Sequence, residues 1–145
     1  MKIRPVEERD FSQWLELWEG YNRFYKRNMP HEITASTWRR LLDGTEPVYA
    51  LVAEEDDRLL GITHFLYHRN TGMIADACYL QDLFTLESAR GKGVATALIH
   101  AVYAAAKERG STRVYWQTHE TNATARSLYD HVAENSGFIV YRKNL

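Results

Sequence analysis

Residues 90–95, with the sequence RGKGVA, combine two residue types that bind phosphate at the start of a helix. Gly91 and Gly93 alternate with the cations Arg90 and Lys92, directly before a run of small and apolar residues. Each glycine in a helical turn costs roughly 1 kcal/mol relative to alanine, so helix formation alone does not favour them. The first N–H groups of a helix lack intrahelical partners and lie at its positive end, and glycine lets an anion approach them. The stretch therefore predicts a phosphate-binding turn.

Two common nucleotide-binding patterns do not match this turn. A Walker-type loop requires GxxxxGK followed by Ser or Thr, and here both the order and the spacing differ. A dinucleotide fingerprint requires GxGxxG, but Thr96 stands where the third glycine or alanine belongs, and no suitable strand with a ribose-binding acid follows. The remaining hypothesis is a pyrophosphate held by the turn itself, which has the form Arg-x-x-Gly-x-Ala.

This form resembles the acetyl-CoA signature, Gln/Arg-x-x-Gly-x-Gly/Ala, of the GNAT superfamily of N-acetyltransferases. The flanking sequence strengthens the resemblance. YLQDLFT lies a short loop upstream at residues 79–85, and N-x-x-A-x-x-L-Y at 122–129, followed by GF at 137–138, lies downstream in the family's order. The resemblance covers residues 3–143 and is greatest to the branch of polyamine and small amino-acid or histone N-acetyltransferases.

The resemblance implies a binding site for acetyl-CoA. Backbone groups of Leu83 and Thr85 would hydrogen-bond the pantetheine arm, which lies like an added strand between two strands that splay apart. The glycine turn would hold the pyrophosphate, and Asn122 would both cap its own helix and contact the cofactor. The implied set is Leu83, Phe84, Thr85, Arg90, Gly91, Lys92, Gly93, Val94, Ala95, Thr96 and Asn122.

Acetyl transfer from a thioester to an amine needs a fixed thioester, a deprotonated amine and a proton for the departing thiolate. The resemblance assigns the acid to Tyr129, since a phenol with a pKa near 10 is protonated at neutral pH and can donate to a thiolate; a core tyrosine is the alternative. Polyamine acetyltransferases place a glutamate base where this chain has Gln81, so their substrate does not transfer directly. Asp82 is the adjacent catalytic candidate, although strand alternation would point it to the opposite face.

Further side chains remain candidates for a water relay that deprotonates the amine: His64, His68, His119 and Glu120. The acceptor is expected between the first two helices, where Tyr21, Tyr25 and Glu19 form either a wall suited to a cation or simply part of the core. Cys78 is predicted to be a small buried thiol rather than a nucleophile, because no His-Asp or His-Asn pattern accompanies it.

The elements that position these residues follow from hydrophobic periodicity and turn residues. Helices are predicted at 11–25, at 34–42, over about 18 residues ending at Gly110, and at 122–132. Strands are predicted at 2–5, 48–55, 59–68, 74–86, 113–118 and 137–142. Antiparallel hairpins that lead into a strand–helix–strand crossover predict a mixed α/β fold. The resemblance implies the GNAT fold, a mixed antiparallel and parallel sheet of about six to seven strands with about four helices.

Composition limits the remaining possibilities. The 145 residues fit a single domain, residues 1–145. With 18 basic and 19 acidic residues the net charge is -1, so no global field favours nucleic acid. No stretch approaches the ~20 apolar residues of a membrane span. A single cysteine excludes a disulfide framework and a cysteine-based zinc site, so we expect a cytoplasmic protein without a metal.

The sequence therefore predicts an acetyl-CoA-dependent N-acetyltransferase that acts by direct transfer in a ternary complex. The expected acceptor is a primary amine of a small molecule such as an amino acid or a polyamine. Two alternatives remain open, a peptide or protein N-acetyltransferase and a catalytically silent acyl-CoA-binding module. A homodimer is a further expectation, because such dimers are common in this family and the last predicted strand carries exposed aromatic residues.

Overall fold

A mixed sheet of five strands, in the order β1 to β5, forms the centre of the computed structural model, which describes residues 1–145. Strands β1 to β4 pair antiparallel, and β5 pairs parallel to β4. The predicted meander and crossover are confirmed, although the sheet is one strand smaller than the smallest predicted. The strands are β1 (Lys2–Pro5), β2 (Val48–Glu55), β3 (Arg58–His68), β4 (Ala77–Thr85) and β5 (Val114–Tyr115).

Four α-helices surround the sheet, as predicted: α1 (Phe11–Phe24), α2 (His31–Leu42), α3 (Val94–Glu108) and α4 (Ala123–Val132). Short 3-10 turns precede α1 and follow β4, at Glu8–Asp10 and Glu87–Ala89. Helix α2 begins at His31 rather than at the predicted Thr34, because Pro30 is extended with ψ 143° and the chain turns helical directly after it. Helix α3 is 15 residues long and is followed by a Gly110 with positive φ.

The two faces of the sheet carry separate cores. On one face α1 packs its aromatic stripe against β2 and β3, through Trp14, Leu17, Trp18, Tyr21, Val52, Leu59 and Ile62. On the other face α3 packs against β3 and β4, through Phe65, Cys78, Leu80, Ile99, Val102 and Ala106. Tyr21, one of the residues expected to form either an acceptor wall or part of the core, is therefore core and only 5% exposed.

Two local features join these elements. Asp56 and Asp57 both have positive φ, 51° and 60°, so the predicted turn between β2 and β3 is the two-residue type that matches strand twist. Asp10 precedes α1 as predicted, but its carboxylate makes no cap bond to the helix and instead binds the guanidinium of Arg4 at 2.7 and 2.8 Å.

The prediction of a sixth strand at residues 137–142 is wrong. Strand β5 spans two residues rather than the predicted 113–118, and no further strand pairs with it. Because the short ladder of β5 offers few backbone groups to a neighbour, residues 137–142 lie outside the sheet. Their apolar side chains are exposed, with Phe138 at 91% and Tyr141 at 90%. No helix of the chain is both long and apolar enough to span a membrane.

Candidate active site

An open edge of β4 forms one side of the candidate site. Strand β5 pairs with β4 only at Cys78 and Tyr79, so the edge is unpaired from Leu80 onward. The N–H of Leu86 donates to Leu60 on β3 at 2.8 Å. Since backbone groups alternate between the two sides of a strand, those of Leu83 and Thr85 point away from β3, toward the open edge.

This geometry agrees with the prediction that Leu83 and Thr85 offer their backbone to a pantetheine arm. Their neighbour Phe84 instead points its ring at Gly20 of α1. The Thr85 Oγ1 atom is buried and has no hydrogen-bond partner within the chain. A buried hydroxyl without a partner costs about 1–3 kcal/mol, so a ligand that binds it here would relieve that cost.

A β-bulge at Gln81 decides where the acidic side chain of β4 points. His64 stands opposite Asp82, whereas Phe65 stands opposite Leu80, so Gln81 is the extra residue. The bulge reverses the alternation of side chains. Leu80 packs on the α3 face, but Asp82 lies on the α1 face, where it contacts His64. Gln81 itself is exposed.

The glycine turn before α3 has the conformation that its residues require. Gly91 and Gly93 both have φ of 77°, in the left-handed region that favours glycine, and a Cβ at either position would meet nothing within 4 Å. The glycines therefore serve backbone conformation and ligand approach rather than packing. Gly93 is the residue before α3 and no side chain caps that helix.

The N–H groups at the start of α3 are available to an anion. The first intrahelical bond runs from Ala97 N to Gly93 O, at 3.0 Å, so the N–H groups of Val94, Ala95 and Thr96 precede it. Val94 buries its side chain, 2% exposed, in the core and anchors the turn. Arg90 and Lys92 are exposed beside these groups and add positive charge.

Asp82 is held in a buried polar cluster against α1. His64 Nδ1 lies 2.9 Å from Asp82 Oδ2, and the Thr63 hydroxyl donates to the Asp82 backbone carbonyl at 2.8 Å. Burial and then the nearby charge of Asp82 raise the pKa of Tyr21 well above its ordinary value. Burial and the same carboxylate also raise the pKa of Tyr25, although the positive charge of Arg27 acts against this.

Tyr129 of α4, the predicted acid, is half-buried and packs against the core on the α3 face. Burial, and then the neighbouring Tyr25, raise the pKa of Tyr129 to about 12. The Tyr129 ring meets Trp116 edge-on, with centroids 5.4 Å apart. Tyr25 is thus one cause of the raised pKa of Tyr129, and Asp82 is one cause of the raised pKa of Tyr25.

The remaining predicted residues have different environments. Asn122 stands at the start of α4 but makes no side-chain cap, and its amide donates to Thr118 Oγ1 at 3.3 Å. His119 and Glu120 are exposed, with His119 Nδ1 2.7 Å from Thr121 Oγ1. His68 contacts the Tyr115 hydroxyl at 2.6 Å. Of the relay candidates, only His64 contacts Asp82.

A cavity of about 710 Å³ lies between α1 and α2, where the acceptor was expected. Its lining includes Glu19 and Arg27 but neither of the predicted catalytic residues, Asp82 and Tyr129. The Arg27 guanidinium stands 5.0 Å from the ring of Tyr25 and 5.5 Å from that of Tyr21.

Cys78 is fully buried in the core on the α3 face. Burial raises the pKa of its thiol to about 11, which keeps it protonated at neutral pH. A protonated, inaccessible thiol is a poor nucleophile, in agreement with its predicted role. No group of three or more potential metal-ligating side chains occurs in the chain.

Comparison with known proteins defines the class to which this fold and site belong. The acetyltransferase (GNAT) family matches residues 11–133. The chain is 34% identical to the D-amino-acid N-acetyltransferase HPA3 of Saccharomyces cerevisiae over 98% of this chain and 89% of that protein. The chain therefore belongs to the GNAT family of acetyltransferases, and the predicted family, fold and enzyme class are confirmed.

Solved structures share the same fold. A ribosomal-protein-alanine N-acetyltransferase from Brucella melitensis biovar Abortus 2308 superposes with a TM-score of 0.82 at 23% identity, over 100% of both chains. An aminoglycoside N-acetyltransferase, AAC(6')-Iy, solved in complex with CoA superposes with a TM-score of 0.76 at 19% identity, over 99% of this chain and 100% of that chain.

Sequence reasoning did not identify the bond between Trp14 and His64, whose Nε atoms lie 3.0 Å apart. Trp14 was predicted only as part of the helix at 11–25, and His64 only as one of several possible relays. The two residues are 50 positions apart. The only local signal was a histidine in the middle of the largely apolar segment 59–66 of β3, which marks a buried polar group that needs partners.

Proposed function

We propose that this GNAT enzyme transfers the acetyl group of acetyl-CoA to the primary amine of a small molecule by direct transfer in a ternary complex. The observation that carries the proposal is the unpaired edge of β4, which is followed along the chain by the glycine turn at the start of α3, and we assign Asp82 and Tyr129 as the catalytic residues beside it. Direct transfer agrees with the buried, protonated thiol of Cys78, which leaves no cysteine for an acyl-enzyme.

Each part of acetyl-CoA has a matching group in this arrangement. The pyrophosphate meets the free N–H groups of Val94 to Thr96 and the cations Arg90 and Lys92. The pantetheine arm adds to the unpaired edge at Leu83 and Thr85 as an extra strand would. Such an arm fixes the thioester near the bulge, where Gln81 leaves the regular ladder.

The proton balance of the reaction defines the roles of Asp82 and Tyr129. An ammonium group loses one proton to the Asp82 carboxylate, directly or through one water, and the free amine then attacks the acetyl carbonyl carbon. The carbon–nitrogen bond forms and the carbon–sulfur bond breaks. The nitrogen then loses its second proton, which neutralises the departing thiolate. A Tyr129 phenol with a pKa of about 12 is a weaker acid than a thiol, which titrates at roughly 8.5, so it stabilises the thiolate as a hydrogen-bond donor.

An amino acid is the acceptor that we favour. Arg27 makes no ion pair within the chain, although its guanidinium lies over Tyr21 and Tyr25 beside the cleft. A guanidinium without an ion-pair partner can bind a carboxylate in a bidentate geometry. A free amino acid carries such a carboxylate beside its amine, whereas a polyamine does not. The relative HPA3 is itself named for D-amino acids.

An acceptor screen tests the reaction. Purified protein is incubated with acetyl-CoA and a panel of D- and L-amino acids, polyamines and short peptides, and free thiol is followed with time. We expect release with amino acids above the hydrolysis background. Release only with peptides would favour a peptide N-acetyltransferase, and tight CoA binding without any release would favour a silent binding module.

A matched pair of amines tests the role of Arg27. Phenylalanine and phenethylamine differ only in the carboxylate, so Arg27→Gln is expected to raise KM at least tenfold for phenylalanine and to leave KM for phenethylamine nearly unchanged. Arg40→Gln on α2 removes a cation of the same kind that does not line this cavity, and it serves as the control. Equal effects of Arg27→Gln on both amines would contradict carboxylate binding.

We further propose a homodimer formed through residues 137–142. This segment exposes Phe138, Ile139 and Tyr141, and the outer edge of β5 has no neighbour. Two copies can add these segments reciprocally, which covers both apolar segments and both edges. Light scattering should report a dimer for the wild type and a monomer for Phe138→Asp; a monomeric wild type at micromolar concentration would contradict the proposal.

The single reduced cysteine suits a cytoplasmic location.

A further inference from the structure

Three side chains from three elements form a buried hydrogen-bonded chain beneath the cleft. Trp14 Nε1 on α1 lies 3.0 Å from His64 Nε2 on β3, and His64 Nδ1 lies 2.9 Å from Asp82 Oδ2 on β4. Trp14 is 0% exposed, His64 2% and Asp82 7%. Asp82 is the most exposed of the three, so the chain leads from the core to the residue proposed as the base.

Simple donor counting fixes the tautomer of His64. An indole nitrogen can only donate, so His64 Nε2 must accept and carries no proton. The neutral imidazole therefore carries its proton on Nδ1 and donates it to Asp82. A proton added at Nε2 would set two donors against each other, so His64 does not serve as the base that receives the proton of the amine.

The bulge at Gln81 explains why Asp82 needs such support. Reversed alternation places the Asp82 carboxylate on the α1 face, among the aromatic side chains of that core. A buried carboxylate that accepts no hydrogen bond destabilises the folded state. The hydrogen bond from His64 removes that cost and also limits rotation of the Asp82 carboxylate. Thr63 holds the backbone carbonyl of the same residue at 2.8 Å, so both the side chain and the peptide of Asp82 are anchored on β3.

We propose that Trp14 and His64 are positioning residues for acetyl transfer. The indole of Trp14 selects the Nδ1–H tautomer of His64, and that tautomer holds the Asp82 carboxylate in the orientation that meets the acceptor amine. This inference rests on the proposed function for its catalytic consequence, while the tautomer itself is a property of the folded chain that can be measured without substrate.

The test compares two Trp→Phe variants, each of which removes one indole hydrogen bond. Trp14→Phe removes the donor to His64, and Trp18→Phe removes a donor of the same length, 3.0 Å, to Thr34 Oγ1. Long-range ¹H–¹⁵N spectra of the imidazole report the tautomer, and thiol release with the best acceptor of the panel reports kcat and KM. Thermal unfolding of each variant verifies that it is folded.

We expect wild-type His64 to show a protonated Nδ1 and a bare Nε2. Trp14→Phe should shift this pattern toward the other tautomer and lower kcat about tenfold or more, with KM for acetyl-CoA unchanged. Trp18→Phe keeps an aromatic ring beside His64 and removes no hydrogen bond to it, so it should leave the tautomer unchanged and lower kcat far less than Trp14→Phe. His64→Asn, whose amide N–H lies near the position of Nδ1, should retain more of kcat than His64→Leu.

Several results would overturn the inference. A wild-type His64 protonated on Nε2 would exclude the tautomer, whatever the activity. An equal loss of kcat in the two tryptophan variants would indicate general packing instead of positioning. A wild type that shows the expected tautomer but acetylates no amine would refute the proposed function and with it the catalytic consequence, so the two failures are distinguishable.

Discussion

Tyr129 of α4 meets Trp116 in an edge-to-face contact, with ring centroids 5.4 Å apart. Trp116 directly follows β5, so this contact fixes α4 against the strand that diverges from β4. Edge-to-face aromatic pairs contribute about 0.5–1.5 kcal/mol beyond their buried area. The contact holds the ring of Tyr129, whereas the role proposed for Tyr129 depends on its hydroxyl, so ring packing and proposed chemistry can be tested separately.

Tyr129→Phe tests that separation. The variant keeps the ring and its contact with Trp116 but loses the hydroxyl, so stability and the Kd for acetyl-CoA should change little. We expect kcat for thiol release to fall 10- to 100-fold at saturating amine, since general acid or hydrogen-bond assistance typically contributes rates of this order. Unchanged kcat would remove Tyr129 from the reaction and leave it as a core residue.

Valine at both glycines of the turn should weaken CoA binding. Gly91 and Gly93 both have φ of 77°, which a β-branched residue adopts only with strain, and the added side chains would block approach to the backbone. Calorimetry with CoA should show at least a tenfold higher Kd. Gly44→Ala is the control, because a Cβ there meets nothing within 4 Å and its φ is not positive. Undiminished affinity in the double variant would contradict the phosphate site.

Gly20→Ala should destabilise the fold through one contact. An added Cβ would stand 2.8 Å from Phe84 Cε2, closer than packed atoms allow. The gain in helix propensity, about 1 kcal/mol, is smaller than the 1–3 kcal/mol typical of overpacking, so the net loss should be about 1 kcal/mol. Urea unfolding of the two single variants and of Gly20→Ala with Phe84→Leu measures the coupling. Strict additivity would show that this contact is not responsible.

Lys26→Gly should stabilise the chain. Lys26 follows α1 with φ of 55°, its N–H donates to Arg23 O, and the N–H of Arg27 donates to Asn22 O, the pattern of a helix end that favours glycine. Relief of left-handed strain should raise the free energy of unfolding by about 0.5–1 kcal/mol in urea titrations. The reverse change at the end of α3, Gly110→Ala at φ of 90°, should lower it by a similar amount. Destabilisation by Lys26→Gly would contradict this account.

The Arg4 cluster should make stability fall in acid. Arg4 binds Asp10 through two nitrogens and Glu54 through Nε at 2.9 Å, and hydrogen bonds from Arg4 hold the pKa of each carboxyl below its usual range. A carboxyl whose pKa is lower in the folded than in the unfolded chain stabilises the fold at any pH above its unfolded pKa, which is near 4. This contribution to the free energy of unfolding is lost as the pH falls through the folded-state pKa.

Asp10→Asn should therefore cost on the order of 2–4 kcal/mol at pH 7, because it leaves a buried guanidinium without one partner. Urea unfolding should show the difference from wild type shrinking below pH 4. The exposed pair of Arg58 and Glu16, at 2.9 Å, gives the control, since Glu16→Gln should cost less than about 1 kcal/mol. A deficit of Asp10→Asn that does not depend on pH would contradict the ionic origin.

Much of the fold follows from local patterns. Strand β2 occupies the predicted residues 48–55, and the aspartate pair at 56–57 forms the predicted turn, because alternation and turn chemistry act over a few neighbouring residues. The last predicted strand fails for the opposite reason. Residues 137–142 have a strand-like pattern, but pairing requires a neighbouring edge, and the length of β5 is set by how far it diverges from β4.

The sequence by itself determined the family and the conformation of the predicted donor turn, because the two glycines suit positive φ and lie directly before the first N–H groups of α3. Only the tertiary structure decided the environment of Asp82. Simple alternation places Asp82 on the face of Leu80, whereas the bulge at Gln81 turns it to α1, where His64 and Trp14 meet it. A bulge depends on pairing with a second strand and the Trp14–His64 bond joins residues 50 positions apart, so neither has a local signature.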